Sequence, residues 1–84
     1  MNLDCLKNAQ HYVTGAKQTL KAIQSGKASH VFVAADAEER VLRPILESCT
    51  ERAVPVSSAA TMVDLGKACG IKVKAAAAAV LSAD

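Results

Sequence analysis

The chain has 84 residues, 51% of them hydrophobic and 21% charged, with a formal net charge of +2. That length holds one small core rather than two, and the apolar share excludes a disordered chain. Tyr12 and Phe32 are the only aromatics, 2% of the chain, which all but excludes folds that stack bases on aromatic platforms.

In chain order, Leu3–Tyr12 reads as a short helix with Asn2 at its start, from Leu3, Leu6 and Ala9 at helical spacing. Gly15 breaks the chain after a short strand. Ala16–Ser25 reads as a second helix, with Ala16, Leu20 and Ile23 inward and Gly26 suited to the left-handed position that closes it. Val31–Ala35 is a continuous, partly β-branched apolar run, the pattern of a strand buried on both faces. Asp36 can cap the helical segment that follows. Val41, Leu42, Ile45, Leu46 and Cys49 form one helical stripe, but Pro44 falls within it. Proline is unfavourable inside a helix by ~3 kcal/mol and welcome at its first position. The expectation is a turn over 38–42, then a main helix from Arg43-Pro44 to about Arg52.

Val54–Ser58 reads as a strand opened by Pro55. Thr61-Met62-Val63-Asp64 resembles a capping box, with Asp in place of Glu, and its helix runs to about Cys69 with Gly70 beyond its end. Gly66 inside that helix costs ~1 kcal/mol against alanine, so it marks close packing. Ile71–Lys74 alternates, and Ala75–Leu81 follows. Alanine propensity favours a helix there, and a buried strand is the alternative. Strands alternating with helices place the chain in the α/β class, with a sheet covered on both faces.

The charges are unevenly spread. Residues 1–35 carry +3, residues 36–53 carry −2 and residues 54–84 carry +1. Cys5, Cys49 and Cys69 are an odd, widely spaced set, read as small hydrophobes in a reducing compartment, with Cys5 closer to the surface. His11 and His30 add no metal-ligand spacing, so no metal or cofactor is expected. No apolar run approaches the ~18–20 residues of a membrane span and no signal peptide opens the sequence, so a soluble, cytoplasmic protein is expected.

The segment with the clearest chemistry is Gly15-Ala16-Lys17-Gln18-Thr19-Leu20-Lys21. A glycine turn leads into a helix whose first turns present Lys17, Gln18 and Lys21 on one face. Lysine donates to guanine O6 and N7, glutamine pairs with adenine N6 and N7, and the free N–H groups of a helix start favour an anion. The same residues are also what an ordinary solvated helix face carries. Ser57-Ser58-Ala59-Ala60 is a small-residue loop able to lie flat against a base or a partner.

The strings Thr14–Ala22 and Leu65–Ile71, with Pro44 and Val54-Pro55 between them, resemble the ribosomal protein L-seven-Ae family of kink-turn RNA-binding proteins, most closely its small bacterial YbxF-type members. The similarity covers essentially the whole chain. It implies a three-layer α/β/α sandwich with a four-stranded mixed sheet, hence a strand over Lys74–Leu81. It implies a single RNA-binding domain over residues 1–84 that recognises the bulge and sheared G·A pairs of a kink-turn. Its RNA-binding residues would be Thr14, Gly15, Ala16, Lys17, Gln18 and Lys21, with Ser58, Ala59, Ala60 and Thr61 covering the flipped-out nucleotide. Lys17 and Gln18 stand where much of the family has Asn and Glu, and YbxF-type members share the change. Ala59-Ala60 replaces bulkier apolar residues, which implies a weaker grip on that nucleotide.

The implied partner is a structured RNA, ribosomal or riboswitch, with no membrane or DNA partner, and a monomer is the simplest state. A protein-interaction module of the same fold is the rival reading. An enzyme is not expected: His11, His30, Asp36, Glu38 and Glu39 form no catalytic motif.

Overall fold

A computed structural model describes residues 12–81. The elements are β1 (Tyr12–Thr14), α1 (Ala16–Gln24), β2 (Ala28–Ala34), α2 (Glu39–Arg52), β3 (Val56–Ala59), α3 (Met62–Ala68) and β4 (Ala77–Leu81). The strands form one sheet in the order β1-β4-β2-β3. β4 runs antiparallel to both β1 and β2, and β3 runs parallel to β2. Helices cover both faces, giving the expected three-layer α/β/α sandwich with a mixed sheet. Residues 3–11 of the first expected helix lie outside the described residues, and Tyr12, placed at its end, opens β1 instead.

The period-2 alternation of the central strands divides the core. Val31 and Val33 of β2, with Ala77 and Ala79 of β4, face α1 and α2 and pack against Ala22, Ile23, Ile45 and Cys49. Phe32, Ala34 and Ala78 face the other way, onto Leu65, Ala68 and Cys69 of the α3 side. β2 is buried on both faces, as its apolar run predicts, and extends back to Ala28. Ala77–Ala79 are fully buried at the middle of the sheet. Backbone pairing on two sides and burial on both faces override alanine's helix preference, so the strand alternative holds and starts at Ala77 rather than Lys74.

Two other expectations are corrected. Pro44 does not start the main helix: α2 is continuous from Glu39, with Pro44 inside it. Both Pro44 and Arg40, whose carbonyl loses its partner, are exposed, so water can take that carbonyl while Ile45 and Cys49 bury the opposite face. The inward face of α1 holds Ala16, Leu20 and Ile23 as expected, the first two half-buried, and adds the buried Thr19 and Ala22. The strand expected at 54–58 runs from Val56 to Ala59, and Pro55 precedes it, its carbonyl accepting the Val31 N–H at 2.9 Å.

Asp36 caps a different helix from the one it precedes. Its Oδ1 accepts the Met62 N–H of α3 at 2.8 Å, while Thr61 Oγ1 accepts the Asp64 N–H at 3.0 Å. Two donors left free at the start of α3 are thereby satisfied, one by a carboxylate suited to that positive helix end. Asp36→Ala is expected to destabilise the fold by about 1 kcal/mol and Asp36→Asn by much less, since the amide oxygen still accepts. Urea midpoints measure both, and equal midpoints for the parent and Asp36→Ala would refute the cap.

Cys49 and Cys69 are each 2% exposed, and burial raises both thiol pKa values. They pack as the small hydrophobes expected. His30 is also buried, with Nε2 2.9 Å from Ser57 Oγ and its ring 4.7 Å from that of Phe32. Burial lowers its pKa.

Candidate nucleic-acid interface

The topology gathers four chain segments at one end of the sheet. The C-terminal ends of β1, β2 and β3 point the same way, and the N-terminal end of antiparallel β4 meets them there. The segments are the Thr14-Gly15 entry to α1, the 35–38 turn, the 60–61 loop and the 70–76 connection. Backbone bonds lace them together: Gly15 N–H to Ala77 O at 2.8 Å, Ala34 N–H to Ala76 O at 2.9 Å, Ala35 N–H to Ala59 O at 2.8 Å and Ala75 N–H to Met62 O at 3.1 Å.

Gly15 makes this end possible. It stands before α1 at φ 94° and ψ 148°, a conformation that side chains strongly disfavour. Its N–H is used by Ala77, and no side chain caps the helix. The first-turn N–H groups of α1 therefore have no acceptor among the described residues, and no acidic residue lies in that turn. Lys17, Gln18 and Lys21 are all exposed on the outer face of the helix. Thr14, Gly15 and Ala16 are half-buried, and Ala16 packs into the α1-side core.

The second group of expected contacts is less uniform. Ser58 and Ala60 are exposed, Thr61 spends its hydroxyl on the α3 cap, and Ala59 is 3% exposed with its methyl among Phe32 and Leu65. This group is also remote from α1. β3 and β1 are opposite edges of the sheet, three strand spacings or about 14 Å apart.

The 70–76 connection reaches the start of α1 at Ala77, whose carbonyl accepts the Gly15 N–H. Lys72, Val73 and Lys74 are exposed there, Val73 at 70%. A valine that open to solvent between two lysines pairs an apolar surface with two cations. The sequence signal was available in the alternation Ile71-Lys72-Val73-Lys74 and in Gly66, which requires something to pack directly on α3. That something is this segment: a Cβ on Gly66 would lie 2.2 Å from Val73 O.

The electrostatics favour an anion. Among the described residues the ion pairs are Arg40–Glu38 and Arg43–Glu39, both at the acidic helix α2. Lys17, Lys21, Lys72 and Lys74 make none there. The basic segments that the acidic middle separates in sequence therefore meet at one end of the sheet, without an ion pair among the described residues.

A three-layer α/β/α domain with a glycine-led, carboxylate-free helix start beside a basic loop defines the class of protein. The chain belongs to the ribosomal protein L7Ae/L30e/S12e/Gadd45 family, whose model matches residues 2–84. It is 49% identical over 67 residues to an RNA-binding protein of Caldanaerobacter subterraneus subsp. tengcongensis, covering 80% of this chain and 82% of that one. It is 40% identical over 81 residues to the RNA-binding protein YbxF of Geobacillus stearothermophilus, covering 96% and 99% of the two chains. Among solved structures, the Giardia lamblia 15.5kD RNA binding protein superposes with a TM-score of 0.82 at 30% identity, covering 98% of this chain and 72% of the other. Among the described residues no helix is long and apolar enough to cross a membrane.

Proposed function

We propose that this protein binds structured RNA and recognises the kink-turn, a bent duplex with a bulge followed by sheared G·A pairs. The observation that carries this reading is the exposed Lys17-Gln18 pair on the first turn of α1, behind Gly15 and free of carboxylates. RNA-binding relatives that match nearly end to end support it.

In an A-form duplex the major groove is too deep and narrow for side chains. A kink opens it, and a helix end can enter. Lys17 then donates to guanine O6 and N7, and Gln18 offers both a donor and an acceptor to an adenine edge. Lys21, one turn further along, reaches a phosphate, and the free N–H groups of the first turn add to the anionic preference. We assign the flipped-out nucleotide to Val73, flanked by Lys72 and Lys74, rather than to Ser58–Thr61. The valine offers an exposed apolar face in the connection that ends at Ala77, the partner of the Gly15 N–H, and Ala59 is inside the core. Ser58 and Ala60 remain at the margin of the face.

Free RNA exchanges between extended and kinked forms. A protein that engages only the kinked form draws the population toward it by its differential affinity. The test is a binding titration at fixed salt against a kink-turn RNA and the same RNA with its G·A pairs replaced. The parent prefers the first by at least tenfold, and equal affinities would reject kink-turn recognition. In the same assay Lys21→Ala lowers the slope of log affinity against log salt by roughly 1. An unchanged slope would remove its phosphate role.

A further inference from the structure

A second feature extends beyond the first turn of α1. Gln18 and Lys21 form the crest of a ridge with a groove on each side. The groove toward α1's own outer face is lined by Lys17, Leu20 and Gln24 as well as the crest. The groove toward the sheet edge has a volume of about 280 Å³, walled by Gln18, Lys21, Ser25 and Lys27 and floored by Val13 of β1 and Leu81 of β4. It runs along α1 from Gln18, roughly 10 Å of helix, to Lys27 beyond its end.

We propose that this sheet-edge groove is a second RNA contact, which holds the sugar-phosphate backbone of one arm of the RNA beyond the kink. The proposal rests on the reading of the first turn as the primary RNA contact and adds Lys27 to it, while Ser25, whose hydroxyl donates to Ala22 O at 3.1 Å, can only accept there. The lining fits that occupant. Among the described residues its lining holds two lysines, two neutral hydrogen-bonding side chains and no carboxylate, and neither lysine makes an ion pair. The apolar floor of Val13 and Leu81 accepts ribose faces, while Lys21 and Lys27 take phosphates at the two ends. Contacts of this kind fix orientation without reading sequence. The groove is also continuous with the primary face, because Gln18 and Lys21 belong to both.

One competing role exists for Lys27. It follows the C-terminus of α1, where a cation offsets the partial negative charge of the helix end. In that role its removal changes stability and leaves RNA binding alone.

The test compares the parent and Lys27→Ala on a kink-turn RNA with full arms, across a salt series, with thermal stability measured in parallel. The expected result is a slope of log affinity against log salt reduced by about 0.7–0.9, the release of one phosphate's counterions. Preference for the RNA with intact G·A pairs is unchanged, since Lys27 reads no base. Shortening one of the two arms, and only one, abolishes the difference between parent and variant. A slope equal to the parent's overturns the proposal, whether or not stability shifts, and leaves the groove to a protein partner or to no partner. A Lys27 effect that survives shortening of either arm overturns it too. Failure of the primary reading is distinct: the parent then binds intact and G·A-replaced RNA alike, while the Lys27 effect on slope persists. A parent that binds no RNA overturns both.

Discussion

The double variant Lys17→Ala, Gln18→Ala should bind a kink-turn RNA about 100-fold more weakly than the parent, or worse. Each side chain is assigned a base contact worth ~1–3 kcal/mol of discrimination, and 1.4 kcal/mol is a factor of ten. The fold should not register the change. Both side chains are exposed and neither makes a hydrogen bond within the protein among the described residues, so the unfolding midpoint should stay within the range of ordinary surface substitutions, about 0.5 kcal/mol. Weak binding to plain duplex RNA, which depends on phosphate contacts, should fall far less. Titration of both RNAs with parent and variant measures this. A double variant with parental affinity for the kink-turn would remove Lys17 and Gln18 from the interface.

The second large effect is on stability. Gly66→Ala should destabilise the protein by about 3 kcal/mol, although alanine in a helix normally gains ~1 kcal/mol over glycine. The added Cβ would lie 2.2 Å from the carbonyl oxygen of Val73 and 3.2 Å from Lys74 Cα. The obstacle is backbone, so no side-chain rotation relieves it, and overpacking of this kind costs 1–3 kcal/mol or more. The 71–75 segment is also held at both ends, by Ile71 N–H to Gly66 O and by Ala75 N–H to Met62 O, each 3.1 Å. At 4–8 °C per kcal/mol for a domain of this size, the melting temperature should fall by roughly 15 °C. A melting temperature at or above the parent's would mean that the segment does not rest on α3 as described. The same displacement moves Val73, so RNA affinity should fall in Gly66→Ala even when it is assayed well below its melting point.

Much of the fold was legible in the sequence because several signals agreed. The run Val31-Phe32-Val33-Ala34 is apolar on both parities, and the strand it forms lies between two others with helices on both sides. Thr61 and Gly70 mark the two ends of α3, and the structure uses Thr61 as its cap. The failures have a common origin in tertiary context. Pro44 forbids one backbone bond, which reads as a helix start, but that bond lies on the solvent side of a helix whose other face is buried. Ala75–Ala79 has the local preference of a helix, and only the two strands beside it make Ala77–Ala79 part of a strand. The resemblance to a known family supplied that answer where propensity did not. Asp36 reads as a cap for the next helix, and the partner it takes is 26 residues away in sequence.

The candidate site follows the same division. Gly15, Lys17, Gln18 and Lys21 are contiguous, so their grouping on one helix start is written in their spacing. Lys72, Val73 and Lys74 join them only because β4 pairs with β1 and sets their connection beside Gly15, which no local pattern encodes. Ser58–Thr61 lies at the same end of the sheet but beyond two further strands, a separation equally invisible in one dimension.

The central claim is that this helix end selects the kinked form of an RNA through its G·A pairs. The most direct measurement follows the end-to-end distance of a kink-turn RNA, labelled on both arms, by energy transfer as protein is added at constant salt. An RNA with its G·A pairs replaced serves as the control. The predicted result is a saturable collapse of the distance in the first RNA and none in the second. Collapse in both, or in neither, would contradict kink-turn recognition and leave a family member whose fold is kept and whose helix end reads something else.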